Sequence, residues 1–222
     1  RSHFVEKIPV TGQIAQDAEE IAHVIPPATG VIVECKAKMG DLVKKDDTLC
    51  IIKHNGSEAL IEVKTPIAGV VIADFAKKGE KADAVSALHT VANLTTLLVT
   101  FDVYEKDISQ IRLGQKIIVR SVAYPQETFE GEVTFISPRV DEDTHTIKIR
   151  ATVKNPQNLL KFGMFVNAEV VVESREEFIV LPQDAVHRLS GKRIVFVKAG
   201  DNDFQVREVV ITKESKESVA IA

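Results

Sequence analysis

An internal repeat in the first half of the chain constrains its fold more than any other feature. The stretch PATGVIVECKAKMGDLV, which begins at Pro27, matches PIAGVVIADFAKKGEKA, which begins at Pro66. The matched pairs include Gly30 and Gly69, Val31 and Val70, Lys38 and Lys77, Gly40 and Gly79, and Leu49 and Leu88. Each copy predicts a strand that leaves a Pro-Gly corner and then enters a tight turn, where Gly supplies a positive φ. Neither half-motif can bury a face alone, so the two are expected to pack as a quasi-twofold pair.

The rest of the chain is rich in short β-branched runs, and these predict an all-β fold. Several runs alternate apolar and polar residues, and each ends at Gly, Pro, Asn or Asp, as strands separated by turns do. Helical spacing occurs only in YEKDISQIRLG, where Ile108 and Ile111 lie three residues apart and Gly114 follows. We therefore expect mainly β-structure with one or two short helices. The first is expected in this segment, and a second helix or a turn is expected after Pro156.

Composition indicates a globular protein and excludes several functional classes. Of the 222 residues, 45% are hydrophobic and 27% are charged, which is typical of soluble proteins. A net charge of −4 leaves no excess of Lys and Arg to neutralise phosphates, so nucleic acid is not an expected partner. No run approaches the roughly 18 apolar residues that cross a bilayer, and the N-terminal RSHFVEK lacks the apolar core of a signal peptide. We expect a mature or trimmed form.

The repeat resembles the two halves of lipoyl and biotinyl carrier domains. Those domains are flattened barrels in which the modified lysine occupies the tight hairpin between the halves. Counted back from Gly69, the carrier position falls on Glu58, and Glu62 takes the acidic position that follows it. A carboxylate cannot form the amide that holds lipoate or biotin, and Lys53 and Lys64 lie out of register. No residue of this turn is therefore expected to bind a cofactor covalently.

Four motifs after residue 92 occur together. They are VYEKDISQIRLGQ, FEGEVTFISPRVD, the triplet THT, and NPQNLLKFGMFV. Together they resemble the six-stranded β-barrel domain of periplasmic adaptor proteins, also called membrane fusion proteins (the HlyD-like family), of tripartite efflux pumps. The C-terminal VLPQDAVHRLSGKRIVFVKAGDNDFQVREVVI is similar to the membrane-proximal domain of those adaptors. The segment VTGQIAQDAEEIAHVIPPATGVI is most similar to their heavy-metal branch.

The chain departs from this family between the two lipoyl-like halves. Most adaptors insert a long α-helical hairpin there, and its tip reaches the outer-membrane channel. Here only residues 53–62 intervene, without a heptad pattern. The pair Asn55-Gly56 favours a type I′ turn, in which both central residues have positive φ and the strands are closed directly. We expect an adaptor that lacks the hairpin, naturally or by engineering, which puts direct contact with a channel in doubt.

The resemblance implies an all-β chain of three units in an elongated row. The units are a lipoyl-like barrel-sandwich hybrid (residues 23–92), a six-stranded β-barrel (residues 8–22 and 93–173), and a membrane-proximal β domain that is incomplete at its C-terminus (residues 1–7 and 174–222). Junctions are expected near residues 22–26, 92–97 and 172–177.

The resemblance also implies the function and the partners. The protein is expected to be a periplasmic adaptor that links an inner-membrane transporter of the resistance-nodulation-division (RND) type to an outer-membrane channel, for export of heavy metals or drugs. Several copies are expected to form a ring, and the full-length protein is expected to be anchored to the inner membrane. No catalysis is expected, since GxSxG, phosphate-loop and HExxH motifs are absent from the sequence. The alternative is a lipoyl- or biotinyl-type carrier protein of a multienzyme complex.

No metal site is expected either. The segment DEDTHT, residues 141–146, gathers three carboxylates and His145, but it lacks the Gly and distal Glu of a calcium loop, so a solvated turn is favoured. The six histidines show no HxxxH or HxH spacing, although a cluster in space stays open. Met39 and Met164 are the only methionines, too few for a soft-metal relay. Met164 is expected to pack in the barrel beside Phe162 and Phe165.

The chain has two cysteines, Cys35 and Cys50. They are too few for a disulfide-stapled scaffold and lack CxxC spacing, so they do not fix the redox compartment. The two could approach each other within one half of the lipoyl-like unit. Buried free thiols are the default expectation.

Overall fold

The structure, a computed structural model, describes residues 2–200, 203–215 and 217–221. In chain order its strands are β1 (Ser2–Ala15), β2 (Ile21–Val24), β3 (Gly30–Cys35), β4 (Leu42–Val43), β5 (Thr48–His54), β6 (Leu60–Lys64), β7 (Gly69–Asp74), β8 (Lys81–Ala82), β9 (His89–Ala92), β10 (Thr96–Tyr104), β11 (Lys116–Ser121), β12 (Tyr124–Asp141), β13 (Thr146–Lys154), β14 (Phe165–Pro182), β15 (His187–Leu189), β16 (Lys192–Lys198), β17 (Phe204–Glu208), β18 (Ile211–Glu214) and β19 (Ser218–Ile221). The helices described are 3₁₀ helices at Ala18–Glu20, Ile108–Gln110 and Gln183–Ala185. The all-β prediction is confirmed.

The helix predicted in YEKDISQIRLG is only a 3₁₀ turn. The Gln110 N–H donates to the Asp107 carbonyl (3.1 Å) and the Ile111 N–H to the Ile108 carbonyl (3.0 Å), which is the i→i+3 pattern of that helix. Ile111 is buried in the barrel, so the apolar spacing reflects a short turn held against the barrel. After Pro156 the chain takes the second of the two expected alternatives, a turn.

Six strands close into an antiparallel barrel, as the sequence predicts. Their order is β1-β10-β13-β12-β11-β14, and β14 pairs back onto β1. Strand β10 shows the period of two that such a barrel requires. Its residues Leu97, Val99, Phe101 and Val103 are buried, while those between them are partly exposed. The closed ladder leaves none of these six strands as an open edge in the barrel.

Two four-stranded sheets, in the orders β2-β9-β7-β4 and β6-β5-β3-β8, share a second apolar core. The repeat maps onto them strand by strand, because β3, β4 and β5 of the first half correspond to β7, β8 and β9 of the second. Each half gives its short strand, β4 or β8, to the sheet of the other half. Neither half can complete the core alone, and the predicted packing of the halves is confirmed.

Glycine is required at the first position of β3 and of β7, because two backbone segments approach each other closely there. A Cβ atom on Gly30 would overlap the carbonyl oxygen of Lys53, and one on Gly69 would overlap that of Ala92. These two contacts are equivalent in the repeat. The turn glycine Gly40 and its equivalent have positive φ, as predicted.

Beyond the barrel, β14 continues and pairs with β19, which pairs with β18, while β15, β16 and β17 form a separate sheet. Where β14 leaves the barrel it bulges, with three residues between Glu173 and Glu177 facing the single residue Phe4 of β1. Ser174 stabilises this bulge, since its Oγ accepts from the Phe4 N–H (2.9 Å) and donates to the Glu176 carbonyl (2.7 Å).

Candidate functional site

The first candidate site is the hairpin between β5 and β6, where a carrier domain would present its lysine. Glu58 lies in this turn with its side chain 91% exposed, and its Oε2 is 2.6 Å from the Nζ of Lys53. Lys64 pairs with Glu62 at 3.0 Å. The hydrogen bond from Lys64 and its charge lower the pKa of Glu62. Both lysines near the turn are therefore ion-paired with carboxylates.

The conformation of this turn differs from the type I′ prediction. Residues 55–59 join the strands, closed by the His54 N–H on the Ala59 carbonyl (3.0 Å). Gly56 has φ of +87°, but Asn55 does not have positive φ, so the first central position does not fit type I′. The Asn55 N–H donates instead to the Thr29 carbonyl (3.2 Å), which ties the turn to the segment before β3.

The expectation of free thiols at Cys35 and Cys50 is wrong, because the two form a disulfide. Strand pairing explains the bond. Cys35 and Cys50 are directly opposite each other in the antiparallel pair β3–β5, after a shift of register between Ile32 and Glu34. The sequence gives the two strands but not this shift, and the shift decides which residues face each other.

A pair of polar side chains that sequence analysis missed lies next to the disulfide. Asp74 faces His89 in the pair β7–β9, and these positions are the repeat equivalents of Cys35 and Cys50. His89 is fully buried, with its Nε2 3.3 Å from Asp74 Oδ1 and its Nδ1 4.0 Å from Cys50 Sγ. The Nε2 geometry does not make a hydrogen bond, so this atom has no partner. The 39-residue offset was the signal that could have found the pair.

The acidic segment 141–146 is the turn between β12 and β13. Asp141 Oδ1 accepts from the backbone N–H groups of Asp143 (3.2 Å) and Thr144 (3.1 Å). The hydrogen bonds from Thr144, its backbone N–H first, lower the pKa of Asp141. His145 completes the turn with φ of +51°. The side chain of Asp141 thus holds its own turn together.

The remaining candidate ligands do not converge. His3 donates to the Ser174 carbonyl (2.9 Å), and His187 stacks near Phe196. Among residues 2–200, 203–215 and 217–221, no group of three or more His, Cys, Asp or Glu side chains is arranged to hold a metal ion. Met164 packs against the barrel core, as expected, but Phe165 is 75% exposed. Phe165 begins β14 facing outward, and the next strand residue, Val166, faces the core.

Comparison with known families accounts for most of the chain. A model described as the CzcB-like barrel-sandwich hybrid domain matches residues 20–93. A model described as the CusB-like β-barrel domain matches residues 96–174. The cation efflux system protein CzcB of Alcaligenes sp. (strain CT14) is 29% identical over 145 residues, which are 64% of this chain and 28% of that protein. The nodulation protein NolF of Rhizobium meliloti is 31% identical over 140 residues, 63% of this chain and 38% of that protein.

The chain belongs to the membrane fusion protein family of RND efflux systems. It spans less than two fifths of the length of either relative. This membrane fusion protein also shares its fold with the crystal structure of ZneB from Cupriavidus metallidurans, at a TM-score of 0.59 and 22% identity, over 100% of this chain and 86% of that one. In the described residues, the two halves of its lipoyl-like unit are joined by the turn 55–59 and not by a helical hairpin.

The membrane fusion protein exposes an apolar row on its small C-terminal sheet. Phe196 of β16 pairs directly with Val206 of β17, and Phe204 lies two residues farther along β17. Residues at this spacing project from the same face of a sheet. The three are 54%, 53% and 61% exposed.

Proposed function

We propose that this chain is the adaptor part of a tripartite RND-type efflux system, which links an inner-membrane transporter to an outer-membrane channel. One observation carries the proposal: a closed six-stranded barrel directly follows the barrel-sandwich hybrid, and a CzcB-like model and a CusB-like model match the two in succession. Relatives named for cation efflux, for cobalt, zinc and cadmium resistance and for multidrug resistance support toxic cations or drugs as the exported compounds.

The proposed division into units follows the sequence boundaries. Residues 23–92 form the lipoyl-like unit, residues 8–22 and 93–173 the barrel, and residues 1–7 and 174–222 the membrane-proximal unit. The bulge at Ser174 supports the last boundary, because pairing between β1 and β14 is interrupted there. A hydrogen bond supports the boundary between the lipoyl-like unit and the barrel. The Asn93 N–H donates to the Glu20 carbonyl (2.9 Å), where the chain passes from one unit to the other.

The adaptor acts by docking and not by catalysis under this proposal. The apolar row of Phe196, Phe204 and Val206 on the membrane-proximal unit is the surface offered to the transporter. Several copies form a ring through their lipoyl-like units, whose two open sheets end in the edge strands β2, β4, β6 and β8. Contact with the channel is not assigned to the turn 55–59, which is too short to form an arm.

The periplasm is the proposed location, and the full-length protein is held there at the inner membrane. The Cys35–Cys50 disulfide supports this compartment, because disulfides persist outside the reducing cytosol. Within the part of the chain that the structure describes, no helix combines the length and the apolar character of a membrane span. Fractionation of host cells tests the location, and recovery of the full-length protein with cytosolic markers would contradict it.

Export is tested by deleting the gene in its host and measuring accumulation of zinc, cobalt, cadmium, copper, dyes and antibiotics. The deletion strain is expected to accumulate at least one of these compounds, and the full-length gene should restore export. A gene with Phe204→Glu should restore less, because the charge breaks the apolar row. Val122→Glu, at an 81% exposed position in the barrel, is the matched control and should restore fully. A deletion strain that accumulates nothing more than its parent would contradict the proposal.

The carrier alternative has no support from the comparisons, which give efflux components and a nodulation protein. Intact mass of the protein from a host able to lipoylate and biotinylate provides an independent check. The mass of the unmodified chain is expected. An added lipoyl or biotinyl group at any lysine would favour the carrier function.

A further inference from the structure

Four side chains form a line of contacts through the core of the lipoyl-like unit, in the order Cys35, Cys50, His89, Asp74. The first two are bonded, His89 Nδ1 is 4.0 Å from Cys50 Sγ, and His89 Nε2 is 3.3 Å from Asp74 Oδ1. We propose that the disulfide is a thiol–disulfide exchange site. A dithiol attacks Cys35, and His89 donates a proton to the sulfur of Cys50 as it leaves. This role does not depend on the efflux function.

The two cysteine residues differ in their exposure to solvent. Cys50 and His89 are both fully buried. Cys35 is only partly buried, at the end of β3, where the chain turns outward to the exposed Lys36. Exchange requires in-line attack by a thiolate on one sulfur while the other leaves. The partly exposed Cys35 is therefore the residue that is attacked, and the sulfur of the buried Cys50 is the leaving group.

A count of protons shows why His89 is suited to this step. A neutral imidazole carries one N–H and one acceptor nitrogen. While the disulfide is intact, that single N–H can serve either Cys50 Sγ or Asp74, which leaves the other contact unsatisfied. In the reduced protein the Cys50 thiol supplies a second proton, so its S–H can donate to Nδ1 while Nε2–H donates to Asp74. Nε2 is the atom without a partner in this structure, and both nitrogens have partners at the same time only when the disulfide opens.

The reaction balances with a dithiol as the reductant. Its thiolate attacks Cys35 Sγ, the Cys35–Cys50 bond breaks, and the electron pair stays on Cys50 Sγ. Cys50 Sγ takes the proton of His89 Nδ1, and a solvent proton that arrives by way of the partly exposed Asp74 carboxylate restores the neutral imidazole at Nε2. The second thiol of the reductant then attacks the mixed disulfide and releases Cys35 as a thiolate, which solvent protonates. The reductant ends as a cyclic or protein disulfide, and the protein gains two electrons and two protons. The partner class is a protein with a reactive dithiol.

Trapping with a monothiol tests the direction of attack without any substitution. The folded protein is incubated with reduced glutathione, quenched with acid, and its peptides are mapped by mass. Glutathione is expected on Cys35, with Cys50 free. Glutathione on Cys50 would overturn the proposal. So would exchange whose rate rises with urea in parallel with global unfolding, since attack would then need the unfolded chain.

The role of His89 is tested by the rate of reduction with dithiothreitol. In His89→Gln the rate is expected to fall by about tenfold or more, because a positioned acid is lost. His54→Gln is the matched control, since His54 lies by the exposed turn 55–59, and its rate should equal that of the original protein. Reduction of a folded His89→Gln at the original rate would overturn the role of His89. If that variant does not fold, Asp74→Asn replaces it, and an unchanged rate there has the same meaning.

Discussion

At the scale of single residues, Asn155 is the side chain that holds the barrel to the chain arriving from the lipoyl-like unit. It is fully buried, and its Nδ2 donates to the carbonyls of Leu94 (2.7 Å) and Leu160 (3.1 Å). Its Oδ1 accepts from the Leu160 N–H (3.0 Å). One amide therefore satisfies three backbone groups that lie away from water.

Asn155→Ala is expected to lower the free energy of unfolding by about 1–3 kcal/mol, because it leaves the three backbone groups without partners. Urea denaturation followed by circular dichroism measures the change. Asn167→Ala is the control, since Asn167 is exposed on β14 and its loss should cost less than about 0.5 kcal/mol. Equal losses for the two variants would show that the network contributes nothing.

Sequence analysis succeeded for single residues when a linear count was enough. The count from Gly69 predicted a turn at Glu58, and the structure has Glu58 in the turn between β5 and β6; that this is the carrier position stays a prediction. It failed for Cys35 and Cys50, whose bond depends on a register shift that no local signal marks. It missed His89, because a lone histidine in an apolar run gives no indication of which side chains the other sheet brings to it.

At the scale of strands, the repeat predicts that Gly30 and Gly69, which begin β3 and β7, both make room for a backbone carbonyl. Gly30→Ala and Gly69→Ala are each expected to lower the free energy of unfolding by about 1–3 kcal/mol, because the new methyl group must push away a backbone carbonyl. Gly200→Ala is the control, as its Cβ would meet Asp203 at an ordinary 3.7 Å. Thermal unfolding compares the three. A neutral result at Gly69 would contradict the close approach of β7 to β9.

The repeat also predicts that a new disulfide can form in the second half, at the positions equivalent to those of the disulfide in the first half. Asp74 and His89 face each other across β7–β9 as Cys35 and Cys50 do across β3–β5. The double variant Asp74→Cys with His89→Cys is therefore expected to form a second disulfide without added catalyst. Peptide mapping measures the link, and Asp74→Ser with His89→Ser serves as the control for folding. A disulfide between position 89 and Cys50 instead would show that residue 89 lies nearer to Cys50 in the facing sheet than to residue 74, its partner in β7–β9.

Strand positions were largely predictable because alternation and turn residues are local signals. The equivalence of β3–β5 with β7–β9 followed from the repeat alone. The type I′ prediction failed because turn conformation responds to a distant partner, the Thr29 carbonyl that accepts from Asn55. The exchange of β4 and β8 between sheets was also out of reach, since nothing local states which sheet a two-residue strand joins.

At the scale of the whole molecule, long-range pairing joins the barrel to the sheets beyond it. Strand β1 pairs with β14 on both sides of the Ser174 bulge, although the two strands are far apart in the sequence. Composition and periodicity could not reveal this closure. The barrel was predicted from the family resemblance, and the pairs that close it are apparent only in three dimensions.

An ion pair beside this junction gives a test in solution. Lys7 Nζ of β1 lies 2.8 Å from Oε1 of Glu217, in the connection between β18 and β19. The hydrogen bond from Lys7, and then its charge, lower the pKa of Glu217 below its ordinary 4.5. A lowered pKa means that the contact stabilises the folded state above pH 4.5 and that this contribution is lost as pH falls through the lowered value. The effect on stability is small, because both groups reach solvent.

Lys7→Gln should therefore move the titration midpoint of the Glu217 carboxyl upward, toward 4.5, as followed by NMR of its side-chain carbon. The charge and the strong donor are both removed, so the carboxylate loses its advantage over the neutral acid. Lys192→Gln removes an exposed pair with Glu208 of 2.6 Å and should leave the Glu217 midpoint where it was. If Lys7→Gln also leaves it unchanged, β1 and the β18–β19 connection do not meet in solution, and the junction is held by the β1–β14 pairing alone.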